Sequence, residues 1–328
     1  MTHPERAAPL TFRDVLRARN TIAPYLRPTP LVSYPALDAM LGARAYVKRE
    51  DTQPIASFKV RGGLNLMAQL PEEESRRGVA TASTGNHGQS IAYASRVFGV
   101  RCVVVVPKGA NPLKVAAMEA LGAEVRFRGG AFDESREHAE RMAHEEGLRY
   151  VHPANEALLI AGVATVTLEI LEAAPDLDFL FVALGGGSTA AGACIVAAAM
   201  SPDLRVIAVQ SAQAPAGHRS WTEGAIREAP VRTIAEGLAT GSGFDLPQSV
   251  LRGGLADFLL VEDVEMNRAV RVYLEACHAL SEPAGAAALA GALQARDRLR
   301  GARVGMVLSG ANITVAQLTD ALDAAPPL

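Results

Sequence analysis

Short β-branched runs alternate along the chain with longer, alanine-rich amphipathic segments. Residues 79–82 form one such run, followed by a Gly85-Asn86-His87-Gly88 turn and a helical pattern over 89–98. A buried strand is predicted over 101–106, a helix over 112–121 closed by Gly122, a strand over 124–127, and a helix over 132–146 closed by Gly147. Further on, a strand over 179–184 runs into Gly185-Gly186-Gly187-Ser188 and a small-residue helix ending at Met200. Strands over 205–210 and 304–308 and helices over 264–279 and 283–299 complete the pattern. Alternating strands and helices at this spacing predict parallel β-α-β units and an α/β fold. Runs such as Val103-Val104-Val105-Val106 are apolar throughout, as expected of parallel strands covered on both faces. No solenoid-length repeat, low-complexity tract or linker interrupts the chain.

Composition narrows the function. The 328 residues carry 32 Lys plus Arg against 35 Asp plus Glu, with no basic block and 5% aromatics. That leaves neither the basic footprint nor the stacking surface of a nucleic-acid binder, so no nucleic-acid partner is expected. No apolar run approaches the roughly 18 residues of a membrane span, and the N-terminus shows no signal-peptide pattern. Cys102, Cys194 and Cys277 lie far apart, which excludes a disulfide framework and a cysteine zinc site and suits the cytoplasm.

Two stretches carry chemistry. Gly185-Gly186-Gly187 sits between a buried strand and a helix start, where backbone N–H groups with the Ser188 and Thr189 hydroxyls can receive a phosphate; a tight β-α turn is the plainer alternative. Gly185, Gly187 and Ala190 also fit a dinucleotide fingerprint. The following strand, however, ends in Gln210 where a ribose-binding acid is expected, and no P-loop is present. Lys59, between Phe58 and Val60 and before Gly62-Gly63, is either a solvated surface group or a desolvated nucleophile. A phosphate loop with an activated lysine is what a pyridoxal phosphate enzyme requires.

At this point the sequence resembles the fold-type II pyridoxal phosphate enzymes, and within them the serine/threonine dehydratases and serine racemases. The motifs run in order along nearly the whole chain: S-F-K-x-R-G at Ser57–Gly62, S-x-G-N-H at Ser83–His87, His152-Pro153, Ala161-Gly162, the triple glycine, E-P-A-G at Glu282–Gly285 and S-G-x-N at Ser309–Asn312. The resemblance implies two lobes, each with a parallel-rich twisted sheet flanked by helices. It places a large pyridoxal 5'-phosphate domain at 1–65 and 152–328 and a small inserted domain at 66–151. It implies that Lys59 holds the cofactor as an imine, that Phe58 packs on the ring, and that Asn86 bonds the ring hydroxyl oxygen. Gly185, Gly186, Gly187 and Ser188 would cradle the phosphate, and Ser309 would face the pyridine nitrogen. Ser83, Thr84, Gly85 and His87 would receive the substrate carboxylate. Arg136 would either join them on lobe closure or remain a solvated helix arginine.

The implied reaction is β-elimination from a 3-hydroxy amino acid such as L-threonine or L-serine, giving a 2-oxo acid and ammonia, by a cytoplasmic homodimer or higher homo-oligomer. Racemisation of serine, dehydration of hydroxyaspartate, phenylserine or a hydroxyectoine-derived compound, and cysteine-synthase-type β-replacement remain alternatives. A cofactor-binding regulatory protein is disfavoured by the intact Lys59 and Ser309. Racemase relatives carry a serine where this chain has Thr84, which favours elimination. Relatives often have Gly-Gln-Gly-Thr where this chain has Gly162-Val163-Ala164-Thr165, in a loop near the cofactor. Gln210 and Ala216 stand where many relatives place the carboxylates of a divalent cation, so no metal site of that kind is expected. The chain ends soon after Asn312, so no separate regulatory domain, and no feedback inhibition by isoleucine, is expected.

Overall fold

The structure, a computed structural model, describes residues 10–130 and 132–324. Its strands are β1 (Leu31–Ser33), β2 (Arg44–Arg49), β3 (Val79–Ala82), β4 (Cys102–Val106), β5 (Glu124–Phe127), β6 (Arg149–Tyr150), β7 (Phe179–Ala183), β8 (Arg205–Ser211), β9 (Asp257–Val261) and β10 (Arg303–Leu308). They form two helix-flanked sheets. One has the order β1-β2-β10-β7-β8-β9, parallel except for β1; the other is parallel throughout, in the order β5-β4-β3-β6.

The central strands of both sheets are buried on both faces, which explains their unbroken apolar runs. In β7, Phe179 and Phe181 pack with Val47, Val209 and Met306, while Leu180 and Val182 pack on the opposite face with Val166 and Val206. In β4, Cys102, Val104 and Val106 face Ile91 and Met118, while Val103 and Val105 face Ala139 and Met142.

The strands predicted from sequence agree with the structure to within a residue at each end, but several other boundaries moved. The Asn86–Phe98 helix starts three residues before the predicted 89, because Ser83 Oγ accepts the N–H groups of Gly85 and Gly88 and closes the turn early. The Pro283–Gln294 helix is shorter than the predicted 283–299 and gives way to a 3₁₀ turn at Arg296–Arg298. Gly162 to Thr165, expected in a loop, lies inside the Ala157–Ala173 helix. A Cβ at Gly162 would fall 2.6 Å from the Arg61 carbonyl oxygen, so this glycine permits close helix contact rather than a turn.

A buried ionic cluster fixes the Lys59–Met67 helix. Arg61 is fully buried and donates to Glu50 through Nε and Nη2 at 2.8 and 2.7 Å. Its Nη1 reaches Glu169 at 2.6 Å and Thr165 at 3.1 Å. Lys48, also buried, donates to Glu169 at 2.6 Å. Two cations thus face two carboxylates, so the cluster leaves none of its own charges unpaired. Burial alone would raise the Glu50 carboxyl, but Arg61 and the Thr29 hydroxyl hold it below its ordinary value. Among the described residues no helix is long and apolar enough to cross a membrane.

Candidate active site

A cavity of about 130 Å³ lies where the ends of the two sheets meet. Its walls are Phe58 and Lys59, the Ser83–His87 turn after β3, the Gly185–Ser188 loop after β7, Ser309 after β10, and a further wall containing Lys114, Phe132, Glu236 and Glu282. Each loop follows the C-terminal end of a parallel strand, where ligands bind in open α/β sheets. Of the residues picked out from sequence as site residues, all line this cavity except Arg136, which pairs with Glu140 on its own helix at 2.9 Å.

Lys59 opens its helix after a segment stitched to the end of β10. The Phe58 N–H donates to the Ser309 carbonyl at 3.1 Å, and Ser57 Oγ donates to the same oxygen at 3.3 Å. The ammonium lies 5.2 Å from the centre of the Phe58 ring. Burial pushes the Lys59 amine down to about 8, which raises its neutral, nucleophilic fraction near neutral pH.

The glycine loop is sterically required. A Cβ at Gly185 would meet the Gly237 carbonyl oxygen at 2.2 Å, and one at Gly186 would meet Ala154 Cβ at 3.0 Å. Gly187 has φ +91, a left-handed conformation that favours glycine. The Ser188–Met200 helix begins immediately after it, so its first-turn N–H groups, which have no partner within the helix, face the cavity end of the loop.

His87 is buried and its Nε2 lies 2.9 Å from Thr81 Oγ1. The Thr81 hydroxyl donates its own proton to the Val151 carbonyl at 2.8 Å, so Nε2 carries the hydrogen and donates to Thr81. Burial, reinforced by Lys59 and His152, pushes His87 down to about 3, so the ring is neutral. Thr84 is half-buried and lines both the cavity and a wider groove that opens beyond it.

Lys114 and Glu236 were not singled out from sequence. Lys114 Nζ lies 2.7 Å from Glu236 Oε2 and 3.6 Å from Glu282 Oε2. Their signal was available: Lys114 lies between Leu113 and Val115, and Glu236 between Ala235 and Gly237-Leu238, charges set in apolar runs as Lys59 is. Gln210 is buried, and its Oε1 accepts the His218 N–H at 2.9 Å. Among the described residues no group of three acids, histidines or cysteines is placed to hold a metal ion.

The residues present fit pyridoxal phosphate. A glycine cradle that a Cβ would fill opens onto a helix N-terminus, suited to a phosphate. A half-buried lysine with a lowered pKa lines the same cavity, as does the neutral hydroxyl of Ser309. Comparison with known proteins agrees. The model of the family described as pyridoxal-phosphate dependent enzyme matches residues 22–310. An L-threonine ammonia-lyase of Thermotoga maritima is 35% identical over 93% of this chain and 76% of its own length. An L-threo-3-hydroxyaspartate ammonia-lyase of Saccharomyces cerevisiae is 34% identical over 92% of this chain and 93% of its own. The crystal structure of serine racemase from Dictyostelium discoideum superimposes with a TM-score of 0.87 at 31% identity, covering 93% of this chain and 99% of that one. The chain belongs to the pyridoxal-phosphate dependent enzymes.

Proposed function

We propose that the protein removes the 3-hydroxyl group of a 3-hydroxy amino acid, L-threonine or L-serine foremost, and releases a 2-oxo acid and ammonia. The observation that carries this reading is the joint placement of Lys59, the glycine cradle and Ser309 in one cavity, in a chain similar to two ammonia-lyases.

Bound pyridoxal phosphate supplies a conjugated electron acceptor that acidifies the α C–H of an attached amino acid. The chain's residues do the rest. The Ser83–His87 turn receives the substrate carboxylate with N–H donors. Ser83 Oγ braces that turn through its bonds to Gly85 and Gly88. Lys59, half-buried and with its pKa lowered to about 8, takes the α-proton as general base. Ser309, which lines the cavity, would meet the pyridine nitrogen with a hydroxyl, which would leave the ring less electron-demanding than a carboxylate would and would favour prompt loss of the 3-hydroxyl. Neutral His87 adds no charge against the turn.

In this reading residues 66–151 are the smaller inserted domain, and the enzyme works as a cytoplasmic homo-oligomer. Three buried free cysteines support a reducing compartment. The test is a panel of 3-hydroxy amino acids assayed for 2-oxo acid and ammonia. Equimolar release of both from threonine or serine is expected, and no release from any member of the panel would refute the assignment.

A further inference from the structure

Both ends of the Asn86 amide are committed. Asn312 Nδ2 donates to the Ile55 carbonyl at 2.9 Å and to Asn86 Oδ1 at 2.7 Å. A backbone carbonyl can only accept, so the Ile55 contact fixes which end of Asn312 is the amine. Asn312 therefore offers Asn86 a donor, and Asn86 answers with its oxygen. The Asn86 amine then faces Glu282 and donates to its Oε1. An amide NH₂ carries two hydrogens. Glu282 takes one, and the other is left for the cavity that Asn86 lines.

Glu282 is itself held. It is 4% exposed, its N–H donates to the Gly310 carbonyl at 3.1 Å, and its Oε2 lies 3.6 Å from Lys114 Nζ. Asn86 belongs to the helix after β3, whereas Glu282, Asn312 and Ile55 come from segments flanking the other sheet. The chain of hydrogen bonds from Ile55 through Asn312 and Asn86 to Glu282 thus crosses between the two sheets and has one direction.

We propose that Glu282 is a positioning residue: with Asn312 it locks the Asn86 amide so that an N–H, and not the carbonyl, is offered to the ring hydroxyl oxygen of the cofactor. This rests on the reading of Asn86 as the partner of that oxygen. A donor there favours the ionised ring oxygen and the conjugated, visible-absorbing form of the lysine-bound cofactor. A carbonyl there favours the un-ionised, near-ultraviolet form. An amide without its lock samples both.

The test is the ratio of visible to near-ultraviolet absorbance of substrate-free holoenzyme, at fixed pH and with cofactor content measured after alkaline release. Asn86→Ala and Glu282→Leu are both expected to lower this ratio, by roughly tenfold for the loss of one hydrogen bond to a charged acceptor. Glu282→Gln keeps an acceptor oxygen and is expected to stay within about twofold of wild type. A wild-type ratio in Glu282→Leu, with a lowered one in Asn86→Ala, overturns the proposal while sparing the reading of Asn86. An unchanged ratio in Asn86→Ala overturns that reading and the proposal with it. Asn312→Ala removes the other end of the lock and is expected to move the ratio the same way. It carries the test should Glu282→Leu not fold, and an unchanged ratio there also overturns the proposal.

Discussion

The Phe58 amide and the Ser309 carbonyl are joined by a 3.1 Å hydrogen bond, so the segment carrying Lys59 and the segment ending β10 are one rigid piece. The group proposed to hold the cofactor and the group proposed to face its ring nitrogen are therefore positioned by the same backbone contact.

The proposed mechanism makes Lys59 the site of cofactor attachment. Sodium borohydride is expected to bleach the visible band and leave the cofactor covalently on Lys59, as read by peptide mass. Lys59→Ala is expected to lose at least about a thousandfold in turnover, the scale set by removing a general base and a nucleophile together. A Lys59→Ala protein with wild-type turnover would sink the mechanism.

The cradle predicts a contrast between two glycines. Alanine at Gly185 would put a Cβ 2.2 Å from the Gly237 carbonyl, whereas Gly253 has nothing within 4 Å. Overpacking of roughly 1–3 kcal/mol at Gly185 translates into cofactor binding weaker by about ten- to a hundredfold. Gly253→Ala is expected to leave binding unchanged. Equilibrium dialysis of the two variants decides it, and equal affinities would contradict the cradle.

Much of this was legible in the sequence because the chemistry falls at strand ends. Val79 to Ala82, buried throughout, leads into the Ser83–His87 turn, and Phe179 to Val182 announces a strand by its unbroken apolar character and leads into the cradle. β2, with Arg44, Lys48 and Arg49, was not legible as a strand, because half of its residues are charged and the partner that lets Lys48 be buried, Glu169, lies far away in sequence. β6 has only two residues, too few for any period to show. Lys114 and Glu236 each carried a signal, a charge set in an apolar run, but their pairing shows only in the fold, where they stand 2.7 Å apart.

Acid should destabilise the apoprotein through His87. Its pKa is near 6.5 in the unfolded chain and about 3 in the folded one. Between those values the unfolded state binds the extra proton, so stability rises with pH by up to about 1.4 kcal/mol per unit. The contribution is complete above about pH 6.5 and is lost as pH falls toward 3. Urea unfolding across pH 4–7 is expected to show this slope, and His87→Gln, which can still donate to Thr81, to lose one proton's share of it. Superimposable pH dependences for the two proteins would contradict the assignment.

No dependence on a divalent cation is expected, because Gln210 and Ala216 are buried where carboxylates would be needed, and the Gln210 oxygen already accepts the His218 N–H. Activity and thermal midpoint should be unchanged by EDTA. A reproducible loss restored by magnesium or calcium would show this wrong.

The central claim is that elimination outruns racemisation. Racemisation needs a proton returned on the face opposite Lys59, and the residue that the resemblance assigns to that position is Thr84, a hydroxyl that is a poor acid and base at its ordinary pKa. Loss of the 3-hydroxyl needs one face only and drains the deprotonated substrate first. The direct measurement is turnover of L-serine and L-threonine in deuterated buffer, following 2-oxo acid, ammonia and the α-position together. Equimolar 2-oxo acid and ammonia, formed faster than any D-amino acid or α-epimer, is the expected result. Accumulation of D-serine or the threonine epimer faster than 2-oxo acid would contradict it and make the protein a racemase.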